Sequence, residues 1–335
     1  MDMRLTHADD NRRELRYLDI LERLDAQISI DPTAVLVNNS FALAIPDEVW
    51  ALKPILKGHY IYIDGTEWGG PVETVDHSTR SRIVTLSGPT WRGMLMRKVI
   101  EPPVGQAYYT ASGEANSVLA ALLGGIPDDL FQVDTEDTGI SVAAQWRYAE
   151  LHAALEKALE AAGMTLGISY RAAARRVLVA ARPVADSSAT IDLSQDYGID
   201  MRSTQGRIDG FNHIIALGAG ELLDRDVLHL YRLSDGTVTD TPPEWAGTLT
   251  DCVTIYDYNN PESSEDLRNG AIARLLEYMP KDSVQLDPSE ANLDLPLGDI
   301  VGARDRLTGL AAKARILEKI LIMSASGIQI NTRVG

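Results

Sequence analysis

The chain has 335 residues, 45% of them hydrophobic and 24% charged, with 31 basic against 48 acidic side chains for a net charge of −17. That length exceeds what one hydrophobic core supports, so two to four compact units are expected, and the composition is that of a globular chain, not a disordered or membrane-embedded one. The acidity argues against sequence-reading of nucleic acid, whose phosphates such a surface repels, and the single cysteine, Cys252, leaves no internal disulfide and no cysteine-based zinc site.

The first 21 residues carry charge throughout and lack the apolar run of a signal peptide. No stretch approaches the 18 apolar residues of a membrane-spanning helix, so folding in a cytoplasm is the expectation. Between Glu14 and Gly88, short segments of period two predict strands at 15–21, 26–30, 41–45, 60–63, 72–75 and 83–86. Turn formers separate them, at Asp31-Pro32, Asn38-Asn39, Asp64-Gly65 and Gly69-Gly70. Six short strands in so few residues predict a small barrel or sandwich. Residues 91–100 change to near-helical spacing, with Trp91, Leu95 and Ile100 aligned, Arg92, Arg97 and Lys98 on other faces, and Glu101-Pro102-Pro103 as the stop.

Helical composition returns at 114–123 and 148–162. In the second helix Leu151, Leu155, Leu159 and Ala162 form one stripe and Gly163 is placed to cap it. A hairpin follows, with strands 164–170 and 177–181, and Arg182-Pro183 closes a small α/β region. Strands are then predicted at 206–209, 213–217 and 227–231, and a Thr-, Pro- and Gly-rich loop at 239–247. Ser263 and Asp266 make a capping box that opens a helix through Leu267, Ala271, Leu275 and Tyr278 to Pro280. The last segment is ambiguous. Leu310, Ala314, Leu317 and Leu321 fit a helix, while Ala312, Ala314, Ile316, Ile320 and Ile322 fit a strand; a turn at Gly327 followed by 328–334 favours a long hairpin.

The chain contains no Walker A sequence, no His-Glu-x-x-His, no nucleophile elbow and no EF-hand loop. Gly218-Ala219-Gly220 begins like a dinucleotide fingerprint, but the third glycine is missing and no helix pattern follows, so a turn or bulge is expected. The six histidines are scattered, and His213, which opens an apolar strand, is read as a hydrogen-bonding strand end. Among 48 acidic residues a glycosidase pair could hide, because such a pair has no spacing of its own. Residues 251–266 are acidic but lack the ligand order and central glycine of a calcium loop. No catalytic residue, metal ligand or cofactor is assigned.

Two stretches, SRIVTLSGPTWRGMLMRKVIEP at 81–102 and NHIIALGAGELLDRDV at 212–227, resemble the tail-hub family of siphoviruses, also called tail-associated or tail-tip proteins, which is similar in fold to the central hub of contractile baseplates. Tyr256-Asp257-Tyr258, Ser264-Glu265-Asp266-Leu267, Leu297-Gly298-Asp299-Ile300-Val301 and the terminal Val334-Gly335 follow in family order. The motif residues carried by this resemblance are Trp91, Arg92, Leu95, Arg97, Asn212, Gly218, Gly220, Gly298 and Asp299, all in packing roles. Trp91 and Leu95 are expected to pin the short helix against the first barrel. Gly298 is expected to turn where a side chain would clash, with Asp299 bonding the turn backbone.

The resemblance implies a β-rich α+β fold with two tube-type β-barrel domains per subunit. One lies at 1–101 and the other is assembled from 188–235 and 290–335, with an α/β domain at 102–187 and a helix-bearing insertion at 236–289 outside them. It further implies a non-enzymatic structural protein of the virion tail tip, assembled in the host cytoplasm. Three copies would form a ring that joins the distal tail protein and the tape-measure protein to tail-tip or receptor-binding proteins. Phage DNA would pass without sequence-specific binding, and an acidic wall would keep it mobile. The chain ends as the final hairpin closes, which implies a hub without a lytic module. The alternatives are a cell-wall-degrading tail-associated enzyme and the hub of a contractile or domesticated injection particle.

Overall fold

The computed structural model describes residues 3–126, 129–194, 200–204, 210–259, 261, 263–278, 283–287, 294–305, 307–309 and 311–334. In chain order the first elements are β1 (Leu5–Ala8), β2 (Glu14–Tyr17), β3 (Arg23–Ser29), β4 (Ser40–Pro46), α1 (Asp47–Leu52), β5 (Tyr60–Ile63), β6 (Gly69–Pro71), β7 (Thr74–Ser78), β8 (Ile83–Pro89) and α2 (Trp91–Met96). The middle of the chain holds β9 (Val99–Ile100), β10 (Tyr109–Glu114), α3 (Ala115–Leu123), β11 (Phe131–Val133), β12 (Ser141–Trp146), β13 (Ala149–Glu150), α4 (Leu151–Glu160), β14 (Met164–Arg171) and β15 (Arg176–Pro183). The remainder comprises β16 (Asp192–Ser194), β17 (Asp200–Thr204), β18 (His213–Leu217), β19 (Val227–Arg232), β20 (Val238–Thr239), β21 (Val253–Asp257), α5 (Ser264–Glu277), β22 (Ser283–Asp287), β23 (Ile300–Arg304), β24 (Ala311–Ser324) and β25 (Gly327–Val334). The chain forms two compact units. The larger takes 1–201, 285–304 and 313–335, and the smaller takes 202–284 and 305–312.

The larger unit is built on an eight-stranded sheet of order β16-β23-β24-β3-β4-β8-β7, with β25 paired to β24. Its register aligns Met323, Leu24, Leu43 and Leu86 in one row across four strands, which is why period-two segments far apart in sequence bury the same face. The ambiguous C-terminal segment is a strand, and its mixed period has a physical cause. Ala314, Ile316 and Glu318 are buried in alternation, a register shift falls between Ile316 and Glu318, and burial resumes at Lys319, Leu321 and Met323. One bulge therefore moves the apolar phase by a residue, which imitates helical spacing.

A second sheet, β2-β1-β5-β6, contains a strand absent from the sequence prediction: β1 reads Leu-Thr-His-Ala, and all four residues are buried. The short helix α1 was likewise not expected. The helix expected at 91–100 stops at Met96, because Ile100 leaves the helical path to pair with Ala149. The α/β region comprises the sheet β11-β15-β14 with α3 and α4. Leu151, Leu155 and Leu159 of α4 enter one cluster with Leu166, Ile168, Val177 and Val179. Glu150 caps α4 by accepting from the His152 and Ala153 amides (2.6 and 3.1 Å), and Gly163 at φ +71 ends it.

In the smaller unit, β18 pairs antiparallel with β19 and parallel with β21, giving the order β20-β19-β18-β21. Leu267, Ala271 and Leu275 of α5 cover one face of it. The Ser263 hydroxyl accepts from the Asp266 amide at 3.1 Å, as the capping pattern predicts. Residues 205–209, which hold the strand predicted at 206–209, lie outside the described residues, as do Pro280 and Leu310.

The architecture is β-rich with few helices. Among the described residues no sheet closes into a barrel, and no helix is long and apolar enough to cross a membrane. The long sheet takes strands from both 23–89 and 300–334, and His213–Leu217 pairs with Val253–Asp257 across position 235.

Candidate functional site

Arg92 lies on the two-turn helix α2, whose N-terminus is closed by Thr90 accepting from the Gly93 amide at 3.3 Å. A side chain at 93 would put its Cβ 2.1 Å from the Asn39 carbonyl oxygen, so the helix docks this closely only through glycine. Trp91 and Leu95 are fully buried, and Trp91 stacks on Tyr170 with centroids 5.1 Å apart. Both belong to the cluster that contains α4, β14 and β15. The helix is thus pinned by the α/β segment as well as by the N-terminal strands.

The Arg92 guanidinium is fully buried and every nitrogen is used. Nε donates to Glu67 at 2.6 Å and Nη2 to the second Glu67 oxygen at 3.2 Å. Nη1 donates to Glu156 at 2.5 Å and to His152 Nε2 at 3.2 Å. Nη2 also donates to the Leu166 carbonyl at 2.9 Å. Leu166 belongs to β14, which ends its sheet; Gly65 and Thr66 bond Tyr170 further along the strand (2.9 and 2.8 Å). Arginine and loop together occupy an edge that would otherwise be open to pairing.

Electrostatics follow from burial. Removal from water pushes the Glu156 carboxyl up, opposed by Arg92. Burial and the adjacent guanidinium hold His152 down at about 3, so its imidazole is a neutral acceptor here. Burial alone would lower Arg92, but the two carboxylates more than offset it.

The network continues to the C-terminal motif. Glu156 accepts from the Thr165 hydroxyl at 3.2 Å, and Thr165 faces Gly298, which sits at φ +91. Asp299 accepts from Arg182 Nη1 at 2.6 Å and from the Ala185 amide at 3.1 Å, while Arg182 Nη2 donates to the Leu297 carbonyl at 2.7 Å. The Gly298 amide donates to the Ile316 carbonyl at 2.8 Å, and the Ile316 amide donates to the Asp299 carbonyl at 2.9 Å. Two motifs about 200 residues apart therefore meet through side chains that the motif reading did not single out: Glu67, His152, Glu156, Thr165 and Arg182. One signal was available, the His152–Glu156 spacing of four beside the apolar stripe of α4; for Glu67 and Thr165 nothing local distinguishes them. Beside this network lies a cleft of about 730 Å³ lined by Glu67, Trp68, Leu166, Arg182, Leu297 and Lys319 among others.

The remaining motif residues lie apart from it. Arg97 makes an exposed ion pair with Glu73 at 2.5 Å. In the smaller unit, Asn212 stitches the start of β18 to the chain before β21, donating to the Thr250 carbonyl at 2.9 Å and accepting from the Cys252 amide at 2.8 Å. Gly218 and Gly220 form the β18–β19 turn. A Cβ on Gly218 would come within 2.8 Å of Leu267, and Gly220 lies at φ +97. The dinucleotide-like glycines are thus a hairpin turn. The acidic stretch 251–266 holds β21 and the start of α5, with Asp251 bonded to His213 and Asp257 to Arg225.

What this arrangement does chemically is lock: a desolvated cation with two carboxylates ties α2, α4, β14 and the loop before β6 into one body. The fold that results is that of prophage tail proteins. In particular, the chain is similar to the 43 kDa tail protein of prophage MuSo2 from Shewanella oneidensis, at 12% identity and TM-score 0.56, over 99% of this chain and 98% of that one. It is also similar to the tail protein from Neisseria meningitidis MC58 (14% identity, TM-score 0.53, 99% and 95% covered) and to prophage tail protein gp18 from Listeria monocytogenes EGD-e (9%, 0.52, 98% and 94%). No family model matches the chain, and no curated protein matches it in sequence.

Proposed function

We propose that this chain is a structural, non-enzymatic hub protein of a phage-type tail, acting in the virion as a homotrimeric ring at the tail tip. The observation that carries the reading is that the fold corresponds from end to end with prophage tail proteins, leaving no large part of either chain unmatched. Supporting it, the eight-stranded sheet ends in β7, whose five residues are all exposed, and a free strand edge of this kind is satisfied by pairing with another chain.

In this reading 1–101, 188–235 and 290–335 supply the two tube-type β domains, completed by neighbouring copies, and 102–187 and 236–289 lie outward. The distal tail and tape-measure proteins bind one side of the ring and tail-tip or receptor-binding proteins the other. The net charge of −17 suits a channel that conducts DNA without holding it. A siphovirus tail and a contractile or domesticated particle both accommodate this hub; neighbouring sheath-type genes separate them.

The test is the mass of the purified chain by light scattering, alone and with its neighbouring tail proteins, followed by reconstruction of the particle. Threefold density at the tail tip is expected. A chain that stays monomeric beside its tail partners, or that clears host cell wall in a zymogram through one essential carboxylate, overturns the reading.

A further inference from the structure

The cleft of about 730 Å³ beside the Arg92 network carries unbalanced charge. Several of the charged groups that line it are settled within the fold: Glu67 by Arg92, Arg182 by Asp299, and Lys319 and Asp294 by each other. Asp134, Glu136 and Asp137, which follow β11 along the cleft, have no cationic partner among the described residues. Asp134 and Asp137 accept from the Glu136 and Gly139 amides at 3.0 and 2.8 Å, and such bonds leave the charge in place. Arg171 is the one lining cation without a carboxylate, so acid remains in surplus.

An unmet backbone pair lies in the same cleft. Tyr170 bonds away from β15 through both its N–H and its C=O, to Thr66 and Gly65, so Ile168, two residues back along the same edge, presents both of its groups outward. Ile168 lines the cleft, and on that edge neither group has a partner among the described residues.

The complementary surface is on the same chain but out of its own reach. Residues 74–82, which are β7 and the turn into β8, are exposed without a break. In that turn Arg82 is held by Asp47 at 3.2 Å, whereas Arg80 makes no ion pair among the described residues. Ile28 and Lys319 place the cleft beside β3 and β24. The strand β7 is the edge of that sheet, three strand spacings or about 14 Å from β3, and its free side faces away. One surface of a copy that fits a different surface of the next makes a head-to-tail contact, which closes into a ring where the rotation allows.

Resting on the ring reading above, we propose that the β7–β8 turn of one copy docks in the cleft of the next, with Arg80 set among Asp134, Glu136 and Asp137. The guanidinium supplies the cation that these carboxylates lack, in a planar fork that suits them. Thr79 and Ser81, on either side of Arg80, carry hydroxyls that both donate and accept, as the open pair at Ile168 requires. The contact explains why nine residues in a row are left uncovered by their own fold and why the acids of the cleft are left unpaired.

The experiment follows self-association of the full chain by light scattering over a concentration series, alone and with its neighbouring tail proteins. Arg80→Glu raises the concentration needed for half-assembly by about tenfold or more, and so does Glu136→Arg with Asp137→Arg. Combining the two sets exchanges the charges and recovers assembly by about tenfold relative to either parent. Arg147→Glu makes the same charge change at another exposed arginine without an ion pair among the described residues, and it leaves assembly unchanged. Circular dichroism checks that each variant is folded. Folded Arg80→Glu that assembles as well as wild type, or a combined variant no better than its parents, overturns the inference while the ring reading stands. A wild-type chain that stays monomeric beside its tail partners overturns both.

Discussion

Gly298 lies against Thr165 so closely that a Cβ on the glycine would sit 2.5 Å from the threonine Oγ1 and 2.9 Å from its Cβ. With φ at +91, the position excludes a side chain on two independent grounds. Gly298→Ala is expected to destabilise the larger unit by about 2 kcal/mol or more in urea unfolding. Adding Thr165→Ala recovers little, because the threonine Cβ and the backbone strain both remain.

Arg92 and Arg97, one on α2 and one at its end, are expected to respond oppositely to truncation. Arg92→Met strands buried Glu156 and should cost on the order of 3–5 kcal/mol, with the Arg92→Met, Glu156→Met pair closer to wild type than Arg92→Met alone. Arg97→Met breaks an exposed pair with Glu73 and should change stability by about 1 kcal/mol at most. Denaturant titration of the four proteins checks the contrast.

Stability should fall on acidification through a window set by two histidines. Burial, then the neighbouring His59, Arg16 and Lys53, holds His7 at about 4, and burial with Arg92 holds His152 at about 3. Unfolded, both protonate as pH drops below 6.5, whereas the folded chain takes up those protons only near 4 and 3. The unfolded state therefore binds more protons between these limits, so stability is full above 6.5 and declines below it. Melting temperature against pH should show this slope, and His7→Phe should make it shallower.

Asp251 clasps the 240–252 loop to the smaller unit, accepting from His213 and, at 2.7 Å, from the Gly247 amide. Asp251→Ala leaves two donors without partners, a local loss of about 1–3 kcal/mol. Faster exchange of the Gly247 amide and a red shift of Trp245 emission are expected, with β14 and β15 unaffected.

Much of the local structure was legible in the residue pattern. The strand at Tyr60–Ile63, the hairpin around 171–176, the stripe of α4 and the cap at Ser263 all depend on neighbours within about four positions, and such interactions write themselves into spacing. The network around Arg92 was legible only at its ends. A sequence can mark an arginine beside a tryptophan, but not the glutamate 64 residues on that it will meet.

By itself, then, the sequence determined which segments could be strands, where helices begin and stop, and that the surface is acidic. Tertiary structure alone decided that Leu-Thr-His-Ala would be a buried strand, that a bulge would shift the phase of β24, that 213–217 would join 253–257, and that Arg92 would lose all contact with water. The physical reason is range. Dihedral preference and periodicity act along the chain, whereas burial and charge pairing act through space between residues that only the completed fold brings together.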